Sequence, residues 1–140
     1  MTITATKVIA HLGVWDMPTS IAFYCDILGF TIVNQAGPGD EFGWGLLRLG
    51  DTEIMLNTQY DQGERPAEQD PRRIAAHEDT TLYFDCTDVD AAYEHVRAKG
   101  IEAKPPAVSW YGMKQLYLMD PDGYLICFHC PQSDPATVSV

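Results

Sequence analysis

The same punctuation appears twice in this chain. An Asp opens a helical stretch and a Gly closes it, thirteen residues apart at Asp16 and Gly29 and twelve apart at Asp88 and Gly100. An Asp before a helix accepts hydrogen bonds from its unpaired N–H groups, and a Gly after it takes the left-handed conformation that ends it. One strand-like run precedes each helix and three follow, so the spacing predicts a duplicated β-α-β-β-β plan, an α+β domain made of an internal repeat. At 140 residues with 46% hydrophobic content, one domain with a sizeable core is expected.

In the first module, about residues 7–57, Lys7 to Val14 reads as a strand. Val8, Ala10, Leu12 and Val14 fall on one face, and Ile9, His11 and Gly13 on the other. Asp16-Met17-Pro18 starts a helix through Leu28 that sets Ile21, Tyr24 and Leu28 on one side. Strands follow at Phe30 to Asn34, Phe42 to Leu49 and Glu53 to Asn57, separated by turns at Gly37 to Asp40 and Gly50-Asp51. Residues 60–79 are polar and read as a linker with a short helical piece around Arg72 to His77.

The second module, about residues 80–131, restarts the pattern with a strand at Thr80 to Cys86. Its helix, Asp88 to Lys99, presents Val89, Ala92, Tyr93 and Val96 as an apolar face. A strand beginning at Ile101 to Lys104 is interrupted by Pro105-Pro106, which suits an edge because proline cannot donate to a ladder. Lys114 to Met119 and Tyr124 to Cys130 form a hairpin through Asp120-Pro121-Asp122-Gly123, whose residue order predicts a type I turn. In the last strand Tyr124, Ile126 and Phe128 alternate with Leu125, Cys127 and His129.

Twenty acidic residues against nine basic give a formal charge of −11, which disfavours nucleic acid and anionic membranes as partners. No apolar run approaches the roughly 20 residues that span a bilayer, and Met1 to Lys7 lack the pattern of a signal segment, so a cytoplasmic protein is expected. The four cysteines, Cys25, Cys86, Cys127 and Cys130, have no framework spacing and read as reduced thiols. Cys127 and Cys130 imitate a C-x-x-C motif, but within a strand they point to opposite faces.

Three segments, SIAFYCDILGF, DVDAAYEHVRAKGI and WYGMKQLYLMDPDGYLICF, together with the duplicated plan, resemble the vicinal oxygen chelate superfamily of glyoxalases, bleomycin resistance proteins and extradiol dioxygenases. The resemblance runs from Lys7 to Pro131 and implies paired half-barrel modules enclosing a cavity, within one chain or between two. It also implies metal ligands on the first and fourth strands of each module in metal-using members. Those positions fall here on Ile9, Met55, Thr81 and Cys127, a set without the imidazole or carboxylate that a hard divalent cation wants. No metal and no cofactor are therefore expected. A shifted site using His11, His129 and Glu53 is the alternative, against hydrogen-bonded pocket histidines. His77 and His95 read as solvated.

Alternation then nominates His11, Met55, Asn57, Tyr83, Asp85, Cys127 and His129 as ligand-binding residues. Trp110, placed among Pro, Ser, Tyr and Gly, joins them as an aromatic platform. Trp44 reads equally as core, dimer contact or ligand contact, and Arg48 as an ion-pair partner or a solvated edge residue. Cys127 reads as an inert buried thiol rather than a nucleophile, because no cation is evident beside it. Arg48 and Lys114 are the only cations on strands near the pocket, which disfavours an anionic glutathione adduct.

The reading that results is a metal-free, non-enzymatic protein that sequesters an aromatic or apolar small molecule, with a cationic one suiting the acidic charge, as a homodimer. The alternatives are a metal-dependent lyase, isomerase or dioxygenase using His11 and His129, and a metal-free enzyme with either histidine as general base.

Overall fold

Leu12 and Val14 are buried while His11 before them is exposed, the period-two pattern of a strand covered on one side only. The computed structural model, which describes residues 2–37, 39, 42–61 and 63–132, repeats that arrangement in two compact units, 1–69 and 70–140. Each is a β-α-β-β-β module with its helix against one face of a four-stranded mixed sheet.

In the first unit β1 (Ala10–Val14) runs parallel to β4 (Thr52–Thr58), which pairs antiparallel with β3 (Trp44–Leu49), and β3 pairs with the edge strand β2 (Thr31–Ala36). Leu12, Val14, Leu47, Ile54 and Leu56 lie on the covered face against Met17, Phe23, Tyr24 and Leu28 of the helical segment, all buried. Each large apolar side chain so buried contributes about 1.5–3 kcal/mol. The strand begins at Ala10 rather than Lys7, and Val8 stays exposed, because the β4 ladder reaches back only to the pair Ala10 and Ile54. Pro38 and Asp40 of the expected turn at 37–40 lie outside the described residues.

The first helix differs from the regular helix that its periodicity predicts. Asp16 caps α1 (Met17–Ile21), but Ala22–Ile27 continues as a π-helical turn, with the Leu28 N–H donating to Phe23 O five residues back at 3.0 Å. The wider turn lets the adjacent Phe23 and Tyr24 both face inward, their rings edge to face at 5.0 Å, where a period of 3.6 turns only Tyr24 inward.

The second unit orders its sheet β5 (Thr81–Asp85), β8 (Leu125–Pro131), β7 (Met113–Met119), β6 (Ala107–Val108). Helix α3 (Val89–Ala98), capped by Asp88 accepting from the Ala91 N–H at 2.9 Å, packs on β7 and β8 through buried Val89 and Val96. The expected strand at 101–104 does not form. Pairing begins only after the two prolines, which cannot donate, and β6 is the short edge strand.

The β7–β8 turn closes as its residues predict. The Gly123 N–H donates to Asp120 O at 3.2 Å, and Asp120 Oδ1 accepts from the Asp122 and Tyr124 N–H groups at 2.9 Å each, which accounts for an acidic residue that is almost wholly buried. Helix α2 (Pro71–His77), in the stretch that reads as a linker, lies on this turn. His77 is not a solvated residue. Its ring stacks on Tyr124 at 4.1 Å and 8°, and Nδ1 lies 2.7 Å from Asp122 O, so the N–H sits there and donates to that carbonyl. His95 is exposed on α3. Among the described residues no helix is long and apolar enough to cross a membrane.

Candidate functional site

The pleat that buries one side of each sheet presents the alternate residues on the other, and the sequence-nominated positions fall on these free faces. In the first unit His11 stands opposite Met55 and Met55 opposite Leu46, while Gly13, Asn57 and Trp44 form the next level. His11 is exposed, Met55 and Trp44 are half-buried, and Asn57 donates from Nδ2 to Thr58 O at 3.0 Å. Glu53 is opposite Arg48 on the same face. Its carboxylate binds the Lys7 ammonium and, at 3.0 Å, the Arg48 guanidinium, and its side chain is only 8% exposed. The hydrogen bond from Lys7 and then that from Arg48 hold its carboxyl below the usual carboxylate range, outweighing the opposing effect of desolvation. Arg48 is thus an ion-pair partner with a half-exposed side chain.

In the second unit the level Tyr83, Cys127, Tyr117 lies beside the level Asp85, His129, Gln115. The Tyr83 and Tyr117 hydroxyls are 3.0 Å apart, and Tyr117 also hydrogen-bonds the Cys127 thiol. The bond to Tyr83, followed by desolvation and the proximity of Cys127, raises the Tyr117 phenol above its ordinary range. Burial raises the Cys127 thiol, with hydrogen bonds from Tyr117 and the Leu116 N–H opposing it, so this sulfur is protonated at neutral pH and a poor nucleophile. His129 Nε2 lies 2.8 Å from Asp85 Oδ1. A carboxylate can only accept, so Nε2 carries the proton, and a neutral His129 keeps the Nδ1 lone pair as an acceptor. Tyr83 flanks the imidazole with ring centroids 5.3 Å apart.

Trp110 and Tyr111 sit on the turn between β6 and β7, edge to face at 5.3 Å and both exposed, Trp110 by 79%. Gln115 Nε2 donates to the Tyr111 hydroxyl at 2.7 Å, tying the turn to the free face. Lys114, in contrast, pairs with Cys130, faces the helix and binds Asp90 of α3 at 2.6 Å. It brings no positive charge to the free face.

Tyr117 and Gln115 are the residues that reading the sequence missed. Alternation along β7, counted from its pairing with Cys127, places both on the site face. Trp15 carries no such signal in the sequence: its Nε1–H donates to Pro66 O at 3.0 Å and its ring lies 4.4 Å from the Arg65 guanidinium carbon, so residues 65–66 are stitched to the corner after β1.

The metal chemistry implied by the resemblance does not fit this donor set. Register puts Met55 opposite His11 and Cys127 opposite Tyr83, with Thr81 opposite Leu125 and Ile9 preceding β1. Of the residues of the shifted site, Glu53 is engaged by two cations and His129 by Asp85. Among the described residues no three His, Cys, Asp or Glu side chains are grouped to hold a metal ion.

Two β-α-β-β-β units, each with an aromatic or histidine-bearing free face, define a class of scaffold rather than one chemistry. Residues 7–128 match the Glyoxalase/Bleomycin resistance protein/Dioxygenase superfamily, and the chain belongs to it. It is similar to a bleomycin resistance protein of Geobacillus stearothermophilus, 29% identical over 127 residues that cover 86% of this chain and 92% of that one. The fold is that of TioX from Micromonospora sp. ML1, with a TM-score of 0.69 at 15% identity over 89% of this chain and 98% of that one. It is also that of the bleomycin-binding protein from Streptomyces verticillus complexed with copper(II)-bleomycin, with a TM-score of 0.65 at 19% identity over 95% and 100%.

Proposed function

We propose that this chain binds and sequesters a small aromatic molecule, neutral or cationic, without a metal of its own. The observation that supports this reading is the strip of half-exposed Tyr83, Tyr117 and Met119 on the free face of the second sheet, next to exposed Trp110 and Tyr111. Aromatic faces left open to water attract planar and cationic ligands. Among the described residues, the full negative charge standing on that face is Asp85, and Lys114 is turned away from it. The likeness to bleomycin resistance proteins agrees with a sequestering role. A homodimer that covers part of the exposed aromatic surface belongs to the same proposal, and light scattering showing a 15.6 kDa monomer at micromolar concentration contradicts it.

The test is a tryptophan fluorescence titration with cationic, neutral and anionic aromatic compounds, copper(II)-bleomycin among the panel, at low and moderate salt. Cations should bind best and weaken with salt, because the net charge of −11 attracts them through a field that salt screens. Trp110→Ala should weaken them by about 1–3 kcal/mol. Best binding by the anions, or cation binding unchanged in Trp110→Ala, overturns the reading.

The contact between His129 and Asp85 supports a second reading, a metal-free enzyme in which the Nδ1 lone pair takes a proton from bound substrate. Mass analysis of each recovered ligand separates the two. Sequestration returns it unchanged, whereas catalysis yields a product that His129→Gln abolishes.

A further inference from the structure

The last register pair between β5 and β8 is Asp85 and His129, but the Cys86 N–H still donates to His129 O at 2.9 Å. The ladder therefore runs one step further and sets Cys86 beside Cys130. It stops there because the next donor due from β8 is Pro131, which has no N–H. Alternation turns both thiols to the side of Phe84 and Phe128, whose rings stack at 5.4 Å, and away from the side of Asp85 and His129. Neighbouring strands lie about 4.8 Å apart, within the roughly 4.4–6.8 Å between Cα atoms that a disulfide spans. Both thiols are free and half-buried, so a small reagent can reach them.

We propose that Cys86 and Cys130 are a redox-active pair that closes an intramolecular disulfide on reaction with a small-molecule disulfide. One cysteine thiolate attacks a sulfur of the reagent, forming a mixed disulfide and releasing one thiolate. The second cysteine then attacks the protein sulfur and releases the other. Two cysteine thiols and one reagent disulfide become one protein disulfide and two reagent thiols, so the protein is oxidised and the reagent reduced. Parallel neighbours hold their Cβ atoms near the strand spacing of about 4.8 Å, wider than the roughly 3.8 Å of a relaxed disulfide, so the bond is strained and easily reduced. The missing return bond at Pro131 leaves the end of β5 room to close the gap. The cross-link would fix the two backbone segments that hold Asp85 and His129 on the opposite face. Its formation does not depend on what that face binds.

The experiment treats the full chain, natively folded, with excess glutathione disulfide, removes the reagent, blocks the remaining thiols with iodoacetamide in denaturant so that the buried Cys127 is also reached, and maps peptides by mass. Two of the four cysteines should be lost to alkylation. A Cys86–Cys130 peptide pair two hydrogens lighter than the sum of its parts should appear and vanish with dithiothreitol. Cys130→Ser should instead trap glutathione on Cys86, and Cys127→Ser should form the bond as the parent does. Four alkylated thiols in the parent, glutathione on both Cys86 and Cys130 without a cross-link, or a bond from Cys130 to Cys127 would each overturn the proposal.

Discussion

β1 with β4 and β5 with β8 are parallel ladders of five register pairs each, and each sheet is covered on one side by a helix. On the covered side the residues are alike in kind: Leu12, Ile54 and Leu56 in one unit, Phe84, Ile126 and Phe128 in the other. The free faces differ. The first neutralises the Glu53 carboxylate with Lys7 and Arg48, while the second links two phenols, a thiol and an imidazole–carboxylate pair. The residues alike in the two units are the covered ones, and the other half of each strand differs in its chemistry.

The largest expected effects test that equivalence. Leu56 and Ile126 are both fully buried on the fourth strand of their unit, and truncating either to Ala should cost about 2–5 kcal/mol through lost transfer energy and the cavity left behind. Urea unfolding followed by far-UV circular dichroism measures both. A cost below about 1 kcal/mol for one of them would show that its unit is not held together by the covered face.

Gly123 should come next, and it belongs to the second unit alone. Its φ is +92°, and an added Cβ would sit 2.3 Å from the carbonyl oxygen of Ile74 on α2. Gly123→Ala should destabilise by about 2–4 kcal/mol, combining a disfavoured left-handed conformation with a backbone clash that cannot relax without moving the helix. Gly100, with a similar φ of +87° and nothing within 4 Å of its added Cβ, should cost only about 1–2 kcal/mol on the same change. Equal losses would mean that α2 does not bear on the turn.

The helix caps differ in a smaller way. Asp16 accepts from the Thr19 N–H at 3.2 Å and the Thr19 hydroxyl at 2.5 Å and faces Arg65 at 3.4 Å, whereas the described side-chain bond of Asp88 is that to Ala91. Asp16→Ala should cost about 1–2 kcal/mol and Asp88→Ala about 0.5–1 kcal/mol in the same assay. The reverse order would show that the bonds around Asp16 merely replace equally good ones to water.

Both caps were legible in the sequence, as were the order of elements, the covered faces and the β7–β8 turn, because each follows from local spacing. The π-helical turn was not. It depends on Phe23 and Tyr24 both finding space inside, which no periodicity encodes. Nor was the role of His77: the short helical piece that carries it could be read from the sequence, but its hydrogen-bond partner Asp122 lies 45 residues away. Alternation put Tyr83, Asp85, Cys127 and His129 on one face, as the register does, yet it could not show that Lys114 turns to Asp90 or that Tyr117 completes the phenol pair. Those facts depend on which residues of a neighbouring strand stand opposite, and register is a property of the folded sheet.

The smallest effect separates the two free faces by pH. Glu53 is held below its ordinary value of 4.5, so its contribution to stability is complete above that value and disappears as pH falls through the lower folded-state value. Tyr117 is held above its ordinary value of 10.0, so its contribution is complete below that value and disappears as pH rises toward the higher folded-state value. One face therefore loses its interaction on the acid side and the other on the alkaline side. Tyr117 is half-exposed, the two cations that hold Glu53 are themselves more than half exposed, and twenty acidic residues share the acid limb, so each change should be a modest narrowing of the limb rather than its loss. Thermal midpoints of the parent, Glu53→Gln and Tyr117→Phe between about pH 3 and pH 11 measure it. Glu53→Gln should reduce the fall below about pH 4.5 and leave the alkaline limb in place, and Tyr117→Phe should reduce the fall above about pH 10 and leave the acid limb in place. If both substitutions altered the same limb, or if Tyr117→Phe left the alkaline limb as steep as in the parent, the phenol pair would not be intact in solution and the contrast between the two faces would rest on Glu53 alone.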